Sequence, residues 1–288
     1  MVRRVLLSVL ILSSLSCFAG DIAFLRLKPE VINGRMHELT VPVAERPAAL
    51  KKAFQEAGCA PDQIVEQPVA DSTLPSVQCT IAGSEAGSIV FSAPLDYQSA
   101  GDELVVDDAT LEMLPLLVQS FRGSKPRHSL VFIGFSGTLK QAGANAYLSQ
   151  LSKDQRKQTR GMIYLERIGR SPLRYMFPTQ NHVTGVRIGY SVLPTHDPTP
   201  LNKWLDVSSK SVGMEYPEQL EDFYFTQTLS FEHKGIDALT LSSPAYTMLA
   251  HQARPDAKML STTVDFTAYY ETYYQLCVYV MKLDSGLK

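Results

Sequence analysis

Three continuous apolar runs, Ser88–Ser92, Leu130–Gly134 and Met162–Ile168, occupy the middle of the chain, and two amphipathic stretches separate them. Short apolar runs without alternation predict strands covered on both faces, as in a parallel sheet. The stretches between them begin near Asp107 and near Lys140. The first places Leu111, Leu114, Leu117, Val118 and Phe121 at helical spacing. This order predicts a three-layer α/β/α domain with a mostly parallel central sheet, in which ligands and chemistry gather at the carboxyl ends of strands. Asp96, Asp107, Asp108 and Glu166 all fall near such ends.

Outside this centre the pattern predicts a helix from Pro47 to about Ala57. Proline suits its first turn, and Gly58 suits the left-handed residue that often follows a helix. Val77–Ala82 and Ser88–Ser92 read as a strand pair joined through Gly83–Gly87. Asp107 or Asp108 is placed to cap the following helix, with a hard cation such as Ca²⁺ as the other reading of the two acids. Pro115 predicts a kink or interruption in that helix. Gly185–Val192 and Ala238–Leu241 supply further strands, and a last helix covers about Thr263–Lys282.

Composition changes the picture at one end only. The 288 residues carry a formal charge of −2 with 19% charged residues and no basic run, which argues against nucleic acid or an anionic membrane as partner. Residues 1–19 differ from the rest: Arg3-Arg4, an apolar run from Val5 to Leu12, then Cys17-Phe18-Ala19. This is the layout of a signal peptide cleaved after Ala19, so residues 20–288 are read as one exported α/β domain, periplasmic or secreted. A lipid anchor on Cys17 competes with cleavage, although Leu15 stands two rather than three residues before the cysteine. No other segment reaches the length of a membrane span. In an oxidising compartment Cys59 and Cys79 form a natural disulfide pair, with two separate thiols as the alternative. Cys277 sits in an apolar helical pattern as a buried free thiol.

Five motifs in order then resemble the di-zinc aminopeptidase family, which includes secreted leucyl aminopeptidases, glutaminyl cyclases and metal-free nicastrin-like members. Ser88-Ile-Val-Phe-Ser-Ala-Pro-Leu-Asp96 resembles the strand that ends in His-x-Asp. Val106-Asp107-Asp108 resembles the Asp-Asn segment. Leu130-Val-Phe-Ile-Gly-Phe-Ser-Gly-Thr138 with Gly143-Ala-Asn-Ala-Tyr147 resembles the strand and loop of the paired glutamates. Met162-Ile-Tyr-Leu-Glu-Arg-Ile-Gly-Arg170 resembles the Met-Ile-Asn-Leu-Asp segment. Phe231-Glu-His-Lys-Gly-Ile-Asp-Ala-Leu239 resembles the closing Gly-Ile-Pro-Ala strand.

What the resemblance implies about chemistry turns on the departures. The family reaction needs histidine and carboxylate ligands around two zinc ions and a glutamate base. Here the first histidine position is Pro94, the paired glutamates fall at Gly137 and Thr138, and the last histidine falls at Thr228. Asp107 keeps the bridging position, Glu166 replaces an aspartate ligand, and Asp96 keeps the position that orients the lost histidine. The remnant positions are therefore Asp96, Asp107 and Glu166, with no catalytic residue and no metal expected. The resemblance implies an aminopeptidase-like protein without zinc or other cofactor, binding a peptide or protein partner.

The competing reading is an active zinc hydrolase with displaced ligands: Asp96, Asp107, Glu166 and a histidine such as His233. A third is a structural subunit that presents its surface to partners. Ser136 in Gly134-Phe-Ser-Gly137 lacks the spacing of a nucleophile elbow. Trp204, Tyr216 and Phe223–Phe225 lie where the family carries cleft loops, so they either line a peptide groove or pack beneath a loop. Glu166 and Arg167 form either an internal or a surface pair.

Overall fold

The structure is a computed structural model that describes residues 22–36, 38–96, 104–138, 141–169, 173–176, 199–214, 217, 227–243 and 264–287. Its centre is a seven-stranded sheet in the order β1-β2-β4-β3-β5-β7-β6. The strands are β1 (Ile64–Gln67), β2 (Ser76–Ile81), β3 (Ser88–Pro94), β4 (Ser129–Phe135), β5 (Thr159–Glu166), β6 (Arg174–Met176) and β7 (Ala238–Ser242). β4, β3, β5 and β7 run parallel through the middle. β1 and β2 on one flank and β6 on the other are antiparallel.

The apolar runs form the parallel strands because both faces are covered. Ile89, Phe91 and Ala93 of β3 face one core, with Leu111, Leu114 and Phe121. Val90 faces the other, with Ile133, Phe135, Tyr147 and Phe231. The first core lies under α1 (Pro29–Arg35), α2 (Arg46–Glu56), α3 (Leu104–Phe121), α6 (Pro200–Val212) and α8 (Phe266–Gly286). The second lies under α4 (Ala142–Gln150) and α7 (Thr228–Glu232). Short α5 (Lys153–Gln158) leads into β5 and opens with a capping box in which Ser152 and Gln155 satisfy each other's backbone N–H groups. This is the three-layer α/β/α arrangement that the hydrophobic pattern predicts.

Two local expectations need correction. β2 and β3 are not partners, because β4 lies between them, antiparallel to β2 and parallel to β3. β3, buried beyond Ser88, has both edges paired, by β4 and β5, and the chain through Gly83 crosses against the backbone of His128, where a Cβ would come within 2.4 Å. α3 begins at Leu104, before either aspartate, so neither Asp107 nor Asp108 is its N-cap. Pro115 lies inside this helix and does not interrupt it. The segment Gly185–Val192 lies outside the described residues.

Gly58, with φ of 101°, ends α2 as its sequence suggests. Just beyond it Cys59 joins Cys79 of β2 in a disulfide with Cα atoms 6.3 Å apart. Cys277 is a buried free thiol, pushed up to about 12 by burial. The first described residues are tied to α8. The Leu27 N–H donates to the Tyr273 hydroxyl at 2.9 Å, and the Arg26 guanidinium lies 3.9 Å from the centroid of the Tyr274 ring. Among the described residues no helix is long and apolar enough to cross a membrane.

Candidate functional site

The carboxyl ends of β3, β4 and β5 bring three loops together. β3 ends at Pro94, and two residues later the half-buried Asp96 turns its carboxylate to the loop after β4. That carboxylate accepts the backbone N–H of Gly137, the N–H of Thr138 at 3.2 Å and the Thr138 hydroxyl at 2.6 Å. Gly137 is left-handed, with φ of 65°, which turns the chain sharply enough to present two successive N–H groups to one carboxylate. A Cβ on Gly137 would also meet Ala142 at 2.7 Å, so α4 packs directly on this turn.

Gln227 locks the loop from the other side. Its side-chain amide donates to the Thr138 carbonyl at 2.9 Å and accepts the Ala144 N–H at 3.2 Å. Ser230, one helical turn on, donates to the Gln141 side chain at 2.9 Å. Gln227 and Thr228 are fully buried at the start of α7. Neutral hydrogen bonds thus tie α7 to the β4–α4 loop around the Asp96 carboxylate. Gln227 was not among the residues singled out from sequence. Its partners lie 83 and 89 positions away, and a lone glutamine before a short helix gives no local sign of them.

The three remnant positions are not all seen in the same detail. Asp107 lies in the early part of α3, and its side chain is outside the described residues. Glu166 ends β5, half-buried, on the same sheet face as Tyr164. Arg167 then takes a left-handed backbone, φ of 51°, which bends the chain away from the sheet. Asp108 lies inside the first core and pairs with Arg46 of α2 at 2.7 Å. Burial pushes its carboxyl up to about 6, against the attraction of Arg46 and a hydrogen bond from Thr40.

Other candidates resolve simply. The Ser136 hydroxyl is buried and donates to the Leu74 carbonyl at 2.7 Å, a structural bond. His233 is exposed at the end of α7, in the turn that feeds the start of β7. Glu166 pairs with Ser242 at the far end of that strand, so His233 stands at the opposite edge of the sheet from the loops of the site. His128 is buried beside Asp284. His37, His182, His196 and His251 lie outside the described residues, as do Tyr216 and Phe223–Phe225. Trp204 sits on α6, in a cavity bounded by the first residues of β5, and so lies away from the carboxyl ends of the strands.

The donor set can be tested against a pair of zinc ions. Pro94 and Gly137 offer no side-chain ligand atom, and Thr138 and Thr228 offer only hydroxyls, which are poor zinc ligands. The Asp96 carboxylate is already engaged by three donors. Among the described residues no group of three or more His, Cys, Asp or Glu side chains is placed to hold a metal ion. These residues do not fit a di-zinc centre.

Comparison of folds agrees with the motif resemblance. The chain has the fold of the aminopeptidases and glutaminyl cyclases. It superposes on the Legionella pneumophila LapA aminopeptidase with a TM-score of 0.65 at 10% identity, covering 91% of this chain and 73% of that one. For the glutaminyl cyclase of an Acidobacteriales bacterium the TM-score is 0.62 at 12% identity, covering 91% and 96%. For the aminopeptidase of Aneurinibacillus sp. strain AM-1 it is 0.56 at 16% identity; 72% of this chain matches, spanning only 47% of that enzyme's length. No protein-family model matches the sequence, and no curated protein matches it.

Proposed function

We propose that this chain is an exported relative of the zinc aminopeptidases that does not hydrolyse peptides and instead binds a peptide or protein through the cleft at the carboxyl ends of its strands. The observation that carries the reading is the Asp96–Thr138 turn. At the position where the resembling family carries paired glutamates, this chain has Gly137 and Thr138, and both donate to Asp96. The loop is held by its own hydrogen bonds, so it needs no metal to order it. Without a carboxylate base, peptide hydrolysis loses the group that would deprotonate water.

The alternative of displaced ligands is weakened by the place of His233, which lies at the other edge of the sheet. Export rests on the charged and apolar pattern of residues 1–19.

The test is metal analysis of the purified chain, with assays of leucine p-nitroanilide hydrolysis and of glutaminyl-peptide cyclisation. We expect neither bound zinc after incubation with zinc and desalting, nor turnover. Stoichiometric zinc with chelator-sensitive turnover would sink the reading. Mass spectrometry of the chain from the host envelope is expected to find an N-terminus at Gly20; an intact leader found there would refute the export component.

A further inference from the structure

A cavity lies at the amino-terminal edge of the sheet, away from the Asp96 loop. It has a volume of about 620 Å³ and opens between the start of β5, the N-terminus of α6 and the end of α8. Glu166 lies six steps along β5 from Arg160, so the two sites stand roughly 20 Å apart at ~3.3 Å per strand residue. The cavity wall carries Trp204, the single tryptophan of the chain, and two cations, Arg160 and Lys203.

Its polar groups are chiefly donors without acceptors. Among the described residues the Arg160 side chain has no ion-pair or hydrogen-bond partner, and its Nε is buried in that state. The Lys203 ammonium lies 5.6 Å from the centre of the Trp204 ring and has no carboxylate partner among the described residues. Among the described residues the indole N–H likewise has no acceptor. Asp237 is the one acidic side chain among the described lining residues, against two cations. Thr199 gives α6 no side-chain cap, so the positive end of that helix dipole adds to the same field.

The apolar part of the site is equally specific. A Cβ on Gly286 would lie 2.0 Å from the Trp204 ring, so the indole rests against bare backbone at the end of α8. An indole held beside two cations that lack a carboxylate partner among the described residues suits a ligand with one anionic end and one apolar end. The volume matches that of small-molecule sites, ~300–1,000 Å³.

We propose that this cavity binds a carboxylate carried on an apolar or aromatic body, with the anion between Arg160 and Lys203 and the body against Trp204. The chemistry is shared by free aryl or alkyl acids and by the C-terminus of a peptide ending in an apolar residue.

Trp204 alone supplies the indole emission, so the full chain can be titrated by fluorescence with 3-phenylpropionate and N-acetyl-glycyl-phenylalanine, each beside its neutral amide. Both acids, or one of them, are expected to give a saturable change, with the matching amide about tenfold weaker or worse, as loss of a charge-assisted bond implies. The double variant Arg160→Gln/Lys203→Gln is expected to weaken the acid response by about tenfold or more. Its circular dichroism and melting temperature serve to verify folding. If that variant does not fold, Lys203→Gln, exposed on α6, takes its place with the same expectation. Tighter binding of the dipeptide acid assigns the site to peptide C-termini, and tighter binding of 3-phenylpropionate assigns it to free acids. The proposal is overturned if neither acid gives a saturable change, if acid and amide bind equally, or if a folded variant binds the acid like the parent.

Discussion

The Arg46 guanidinium and the Asp108 carboxylate meet at 2.7 Å inside the core, with 2% and 3% of their side chains exposed. Arg46 also reaches the Leu95 carbonyl at 3.4 Å, between Pro94 and Asp96. One buried pair therefore fastens α2, α3 and the end of β3, the strand that delivers the candidate site. Arg46→Met leaves the Asp108 carboxylate buried without its counter-charge and is expected to cost about 3 kcal/mol in urea unfolding. The double change Arg46→Met/Asp108→Leu is expected to cost less than the single one, because no uncompensated charge remains.

The same carboxyl gives a pH dependence of definite sign. Its folded value is about 6, raised from 3.8 by burial. Its contribution to stability is thus fully present below pH 3.8 and is lost as pH rises through about 6. Thermal melts of the parent chain and Asp108→Asn between these limits are expected to show the parent losing stability relative to the variant as pH increases. A constant difference across the range contradicts this assignment.

Glu112 is fully buried on α3, and among the described residues neither oxygen of its carboxyl has a hydrogen-bond partner. Burial raises it well above the usual carboxylate range, with Glu38 and Glu56 adding to the effect and Arg35 opposing it. Glu112→Leu is expected to stabilise the chain at neutral pH by about 1–3 kcal/mol, since an unsatisfied buried polar group is removed. The measurement is chemical denaturation at pH near neutrality; a large loss of stability would assign the carboxyl a structural partner.

Cys59 and Cys79 are 20 residues apart in sequence. Closing a loop of that length restricts the unfolded chain by about 3 kcal/mol on loop-closure entropy. Replacing both cysteines with serine is expected to lower the unfolding free energy by about that amount. Unfolding midpoints that do not change would show that the bond contributes little.

The Asp96–Thr138 turn can be tested by backbone exchange. Asp96→Ala removes the acceptor of the Gly137 and Thr138 N–H groups and of the Thr138 hydroxyl. Those two amides are expected to exchange faster by at least about tenfold, with the strand amides of β4 unchanged. Equal exchange in both chains would mean that Gln227 alone holds the loop.

What the sequence makes legible here is what depends on local pattern. The buried parallel strands show as unbroken apolar runs, and the end of α2 shows in Gly58, because burial on two faces and a left-handed residue leave local marks. Pairings that depend on distant partners leave none. The place of β4 between β2 and β3 is one such case. The partnership of Asp108 with Arg46, 62 positions before it, is another. The motif comparison located the Pro94, Gly137, Thr138 and Thr228 positions. It could not show that Asp96 had acquired new donors in the Gly137–Thr138 turn, because hydrogen bonding follows from the loop's three-dimensional path.

The tie between Leu27 and Tyr273 spans 246 positions, and Leu25 is held in turn by the Ser120 carbonyl of α3 at 2.8 Å. Tyr273 also bonds the Ser120 side chain at 2.7 Å, so an early segment, a middle helix and the last helix share one junction. Closing so long a stretch of chain is entropically expensive until the sheet has drawn α3 and α8 together. A ribosome would have to release nearly the whole polypeptide before this junction could form. Docking of the early segment against α3 and α8 thus waits until synthesis is almost over.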